Sequence, residues 1–155
     1  LTDDLGFDAA INYKTTDDYR DALDAAAPEG VDVYFDNVGG PITDAVFTKL
    51  NLDARVAVCG QISHYNDEEV PTGPRKLPQI IAPRAKVEGL LVSDFATRFE
   101  DASERLGEGV AAGELRHRET VVDGLENAPD AFLGLFAGDN IGKQVVQVAP
   151  DAGGK

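Results

Sequence analysis

Val31-Asp32-Val33-Tyr34-Phe35-Asp36-Asn37-Val38-Gly39-Gly40 is the stretch that decides the fold. Its first half is rich in β-branched and aromatic residues, the composition of a strand. Its second half is a turn. Asn37 carries a side chain suited to stabilising a turn, and Gly39 and Gly40 let the backbone approach a neighbour closely. Pro41 follows and suits the first turn of a helix, which would place Ile42, Ala45, Val46 and Leu50 on its inner face. Strand, tight turn and helix in that order make half of a unit whose strands run parallel.

The alternation continues on both sides. Upstream, Ala9 to Tyr13 is short, apolar and strand-like, and Asp17 to Ala27 reads as a helix with Tyr19, Leu23 and Ala26 on one face. Downstream, Arg55 to Gly60 is a second buried-strand pattern, followed by a polar stretch from Gln61 to about Pro74. A loop of that length in a compact domain is usually functional or mobile. Leu77 to Ala82 is a short apolar segment, Val87 to Val92 a strand, and Phe95 to Gly113 a helix. Glu119 to Val122, Leu125 to Phe136 and Lys143 to Val148 read as strand, helix and strand. Parallel strands with right-handed crossovers give an open α/β sheet. Such sheets bind ligands beyond the carboxyl ends of their strands. The ends here are Asn37 to Gly40, Cys59 to Gln61 and Leu91 to Ser93, which carry the small or polar residues a nucleotide site needs.

Composition narrows the classes. A length of 155 residues allows one domain or a domain plus part of another, and 43% hydrophobic residues suffice for a core. No apolar run approaches the roughly 20 residues that span a bilayer, and no secretory leader opens the chain. The lone Cys59 rules out an internal disulfide and fits a reducing cytoplasm, the expected location. The chain has no methionine, and Leu1 to Phe7 reads as the last turns of a helix closed by Gly6, so the sequence is expected to begin inside a longer protein. Asp and Glu number 28 against 14 Lys and Arg, a net charge of −14. Such a surface repels phosphate backbones and anionic membranes, so neither nucleic acid nor membrane is an expected partner. The acids are dispersed (Asp17, Asp21, Glu100, Glu104) and not gathered in a block, which reads as a halophile's hydrated surface in preference to an acidic docking tail.

Four segments then occur in register: Asn12-Tyr13-Lys14, Tyr34 to Gly40, Cys59-Gly60-Gln61-Ile62-Ser63-His64-Tyr65-Asn66, and Gly138-Asp139-Asn140-Ile141-Gly142-Lys143. Together they resemble the prostaglandin reductase (leukotriene hydroxydehydrogenase) branch of the zinc-free medium-chain dehydrogenase/reductases, over nearly the whole chain up to Pro150. The resemblance implies a Rossmann-like, doubly wound parallel sheet, truncated at its N-terminal side. Residues 1–116 would be a partial dinucleotide-binding domain lacking its first strands and glycine-rich turn. Residues 117–150 would return to complete a catalytic domain, and 151–155 would be a flexible tail. It implies NADP as cofactor and hydride transfer to the activated double bond of α,β-unsaturated ketones and aldehydes. Quinone reductases share the fold and cofactor and stay open as an alternative. So does a non-catalytic module for nucleotide binding or dimerisation.

The same resemblance assigns residues, each with a plainer alternative. Tyr13 would lie against the adenosine-phosphate side of NADP; otherwise it is a half-buried strand aromatic, and Lys14 a surface lysine. Asn37 would bond the ribose–nicotinamide half with Gly39 beside it; otherwise it only stabilises its turn. Cys59 would line the nicotinamide pocket, and Gly60, Leu90, Leu91 and Val92 would also contact the cofactor. Cys59 would do no covalent chemistry, and with His64 and His117 it has no metal-ligand spacing, so no zinc is expected. Tyr65 would contact the cofactor and donate to the oxygen that gains charge during hydride addition; otherwise it is an exposed loop aromatic. A donor tyrosine found in relatives before Val87 is replaced here near Ala82, and His64 is a second candidate donor. Asn140 would lie near the nicotinamide and 2′-phosphate; otherwise Gly138-Asp139-Asn140 is a helix C-terminal turn. Gly107-Glu108-Gly109-Val110-Ala111-Ala112-Gly113 mimics a dinucleotide fingerprint, but it follows a helix and its third glycine is one place late. Finally, the strand from Val87 to Val92 is expected to pair a homodimer across a two-fold axis.

Overall fold

The computed structural model describes residues 1–149; the expected tail at 151–155 lies outside them. The chain forms two compact units, Leu1–Ala102 and Ser103–Lys155.

The first unit opens with helix α1 (Thr2–Leu5), stopped by Gly6 in the left-handed conformation. The Ala9 to Tyr13 segment, expected as a strand, is not one. Asn12 takes the backbone N–H of Lys14 on its side chain, and its carbonyl accepts from Thr15 N–H and Thr16 Oγ1. These local bonds close a turn in place of a ladder. Helix α2 (Tyr19–Ala26) starts where Asp18 accepts from the amides of Arg20 and Asp21, a side-chain N-cap.

Strands β1 (Val31–Asp36), β2 (Leu50–Val58) and β3 (Lys86–Gly89) form a parallel sheet in the order β1-β2-β3. Helix α3 (Gly40–Val46), with Pro41 in its first turn, crosses over between β1 and β2. Leu50, expected on the inner face of this helix, begins β2 instead, because the helix ends at Val46 and Thr48 and Lys49 fold back onto its last carbonyls. Above an irregularity near Val31, Tyr34 pairs with Val56 and Asp36 with Val58, and Val56 pairs with Val87. Val46, Ala54 and Val56 are buried. Along β1 the side chains alternate. Val33 and Phe35 are exposed on one face, whereas Tyr34 is half-buried and Asp36 wholly buried on the other. The third strand stops at Gly89, three residues short of the expected Val92. Leu90 still donates to the Val58 carbonyl, after which Val92–Arg98 winds into 3-10 turns leading to helix α4 (Phe99–Ala111). Gly107 and Gly109 sit inside that helix and Gly113 beyond it at φ 72°, so the glycine run is a helix and its end.

In the second unit β4 (Glu119–Asp123) and β5 (Lys143–Gln147) pair in parallel, joined through helix α5 (Ala128–Ala137). Gly142 passes so close to the Arg118 carbonyl that no side chain fits there.

Candidate functional site

The site grows from the ends of the three parallel strands. At the end of β1, Asp36 is wholly buried and gathers five donors. Its Oδ1 accepts from Tyr34 Oη at 3.1 Å and from the amides of Val38 at 3.0 Å and Gly39 at 2.8 Å. Its Oδ2 accepts from Thr43 Oγ1 at 2.7 Å and Gln61 Nε2 at 3.2 Å. Burial alone would raise this carboxyl, but the hydrogen bonds from Thr43, Gly39, Val38 and Tyr34 outweigh it and hold it below the usual carboxylate range. Burial pushes the Tyr34 phenol up to about 12; the Thr43 hydrogen bond opposes the shift and the Asp36 charge adds to it.

The turn from Asn37 to Gly40 is clamped to the loop after β2. The Asp36 carbonyl accepts from the amides of Cys59 and Gly60, and the Val38 carbonyl from Ser63 N–H and Oγ. Gly39 lies buried in the turn at φ 75°, with the Gln61 amide directly against it, so a side chain is barred by both backbone and space.

Beyond β2 and β3 lies an open cleft of about 470 Å³. One wall carries Cys59, Gly60, Gln61 and Tyr65, and the other Gly89, Leu90, Leu91 and Asp94. Tyr65 folds back over Gly60, and its hydroxyl accepts the Gln61 backbone N–H at 3.3 Å. The phenolic proton takes no acceptor among the described residues, so the hydroxyl can donate. Asn37 presents its side-chain amide to the same spot, and a Cβ on Gly60 would run into Asn37 Oδ1 and stand 3.1 Å from the Tyr65 oxygen. A Cβ on Gly89 would meet open space. This is a roomy, mostly uncharged recess at the carboxyl end of a parallel sheet, which suits the flat ring and ribose of a dinucleotide.

The structure thus brings Asn37, Cys59, Gly60, Tyr65, Leu90 and Leu91 together. Gly39 stands behind them in the turn, and Val92 is exposed at the start of the next segment. Tyr13 lines a separate apolar hollow of about 150 Å³ with Tyr19, Leu23 and Ile42. Its carbonyl accepts from Tyr19 Oη at 3.2 Å. His64 bonds Asp67 at 3.0 Å and faces another hollow beside Pro41. Asn140 belongs to the second unit, where its Nδ2 donates to the Gly142 carbonyl at 2.7 Å. Sequence reasoning missed Asp36, Thr43 and Gln61 as the network behind the cleft. No sequence signal singled them out, because β1 also carries Asp32 and the three residues meet only in the fold.

Comparison with known proteins places the chain. Residues 5–146 match the family model described as zinc-binding dehydrogenase. An NADPH-dependent curcumin reductase of Escherichia coli is 41% identical over 155 residues, 97% of this chain and 45% of that protein. A 2-alkenal reductase (NADP(+)-dependent) of Nicotiana tabacum is 44% identical over 149 residues, 96% of this chain and 43% of that protein. The crystal structure of CurA in complex with NADPH from Vibrio vulnificus superposes with a TM-score of 0.84 at 39% identity, covering 94% of this chain and 44% of that one. The chain therefore spans less than half the length of these relatives. Among the described residues no three of His, Cys, Asp and Glu converge as a ligand set.

Proposed function

Because the chain belongs to the zinc-binding dehydrogenase family, we propose that the protein carrying it is an NADP-dependent oxidoreductase that reduces the activated double bond of α,β-unsaturated ketones and aldehydes. The observation that carries this reading is the cleft at the ends of β2 and β3, where Asn37, Cys59, Gly60, Tyr65, Leu90 and Leu91 meet. The names of the curcumin and alkenal reductases among its relatives support the same chemistry.

Bound NADPH would supply the hydride. The chain's residues do the rest. The Asn37 amide offers a donor and an acceptor to the nicotinamide–ribose half. Gly60 lets the Asn37 amide and the Tyr65 hydroxyl close over the backbone side by side at the rim of the open cleft, and Leu90 and Leu91 give that cleft an apolar wall. The Tyr65 hydroxyl, its oxygen already accepting the Gln61 N–H, donates its proton toward the carbonyl oxygen of the enone as negative charge gathers there. Water then protonates the α-carbon. Cys59 serves as a small wall residue. Tyr13 is assigned to the adenosine-phosphate side of the cofactor, Asn140 by the family resemblance to the nicotinamide and 2′-phosphate region, Gly39 to holding the Asn37 turn, and Val92 to cofactor contact beside Leu91.

We read residues 1–116 as the dinucleotide-binding part and 117–150 as the return to the catalytic part. The protein is proposed to be cytoplasmic, in keeping with its lone cysteine; no helix among the described residues is long and apolar enough to cross a membrane. It is proposed to form a homodimer through β3, the edge strand of its sheet, whose unpaired backbone needs a cover. Steady-state rates of the full-length protein with NADPH and NADH, against an enone and a quinone, test the function. NADPH with the enone should give the highest kcat/KM. Equal efficiency with NADH, or turnover of the quinone alone, would refute the reading.

A further inference from the structure

Among the described residues Asp36 is the one buried polar or charged side chain, and the proposed mechanism leaves it unused. It is wholly buried, and its five donors are all neutral: two hydroxyls, two backbone amides and a side-chain amide. It makes no ion pair among the described residues. A buried charge is costly unless strongly solvated by the protein. Its position gives it a use. Gln61, which donates to Oδ2, is also a wall of the cleft. The backbone amides of Cys59 and Gly60, in the same wall, donate to the Asp36 carbonyl. The charge therefore stands one layer behind the cleft, where water does not screen it. The cleft's other carboxylate, Asp94, is exposed and lies in reach of salt.

We propose that Asp36 is a positioning and electrostatic residue that favours the oxidised cofactor. Resting on the dinucleotide reading above, it holds the Asn37–Gly40 turn and supplies a fixed negative charge behind the ring that becomes cationic when hydride leaves. The nicotinamide ring is neutral in NADPH and carries a positive charge in NADP⁺. A fixed anion behind it stabilises the second form relative to the first and makes hydride donation more favourable.

A purely structural Asp36 would, when replaced, weaken both forms alike. A charge effect changes their ratio. Equilibrium dissociation constants of the full-length protein for NADPH, followed by its own fluorescence, and for NADP⁺, by competition, separate the two. Measurement in about 1 M salt, where the Debye length is about 3 Å, suppresses the contribution of Asp94. Asp36→Asn keeps the shape and removes the charge. It should weaken NADP⁺ relative to NADPH by on the order of tenfold, the size of a single buried charge acting across one layer of protein at an effective dielectric near 20. Thr43→Val keeps the charge and removes one of its donors, and it should move the ratio the opposite way, by about two- to threefold. The Thr43 variant decides the matter should Asp36→Asn fail to fold. A ratio unchanged within twofold in the variants that fold, or moved in the same direction by both, overturns the proposal. If the wild-type protein binds neither form, the dinucleotide reading falls and the proposal falls with it. If it binds both and the ratio does not move, only the proposal falls.

Discussion

Replacing Gly60 by alanine should damage cofactor binding and leave the fold intact. The new Cβ would collide with Asn37 Oδ1, stand 3.1 Å from the Tyr65 hydroxyl oxygen and lie 3.4 Å from Asn37 Cγ. Carbon and oxygen atoms rest without strain at roughly 3.3–3.5 Å, so the Asn37 amide must retreat by about 1 Å and the Tyr65 ring by a few tenths. Both colliding atoms are the ends of side chains, so no backbone needs to move. Gly60 is outside the left-handed region, so alanine fits its backbone and even reduces the freedom of the unfolded chain. The net change in unfolding free energy should stay within about 0.5–1 kcal/mol of zero. A ligand hydrogen bond lost through a displaced Asn37 is worth about 1–1.5 kcal/mol, or roughly tenfold in the dissociation constant for NADPH. Fluorescence titration with NADPH and a thermal melt on the same sample measure the two quantities. Unchanged NADPH affinity with an intact fold would refute the placement of Asn37 and Tyr65 at the cofactor. A drop of several degrees in Tm would show that Gly60 is structural.

Tyr65→Phe should lower kcat for enone reduction by about 10²-fold while leaving the NADPH dissociation constant within about twofold, because it deletes a donor needed mainly in the transition state; an unchanged kcat removes Tyr65 from the mechanism. In an alkaline titration followed by tyrosinate absorbance, one of the four tyrosines should ionise near pH 12 and be missing from Tyr34→Phe. Because the folded value is raised above the unfolded one near 10, stability should fall as pH rises from about 10 to 12. Asp36 shifts the other way: its stabilising effect relative to Asp36→Asn should be full above about pH 5 and shrink as pH falls below about 4, readable from urea midpoints across pH. In light scattering across a salt series, the protein should be dimeric in concentrated salt and dissociate as salt is removed, and Val87→Pro, within β3, should break the dimer; a monomer in concentrated salt defeats the interface.

The strands and crossovers of the first unit were legible because local signals agree with the tertiary outcome. Val31 to Asp36 is rich in β-branched and aromatic residues, Pro41 opens a helix, and Arg55 to Val58 carries the apolar run of the central strand. Errors arose where a distant partner decides. Ala9 to Tyr13 has the composition of a strand but no described strand beside it, and Asn12 folds it into a turn. Val92 continues an apolar run, yet the ladder with β2 ends at Gly89 and the chain coils away. Of the site, Asn37, Gly60 and Tyr65 could be named from their motif. Asp36 could not, because in sequence it is one acid among 28 and becomes distinct only when Thr43 and Gln61 close over it.

The alternation along β1 has a consequence for how freely this strand can vary. Val33 and Phe35 point away from the network, while Tyr34 and Asp36 are bound into it. Substitution of every residue from 33 to 36, scored by the folding of this chain, should give a profile with a period of two. Positions 33 and 35 should accept polar residues, and some of these should improve solubility by exposing less apolar surface. Positions 34 and 36 should reject most replacements, since each leaves hydroxyls or amides buried without a partner. The strand would then be tolerant at every second position, the exposed ones, and closed to change at the two residues tied into the network.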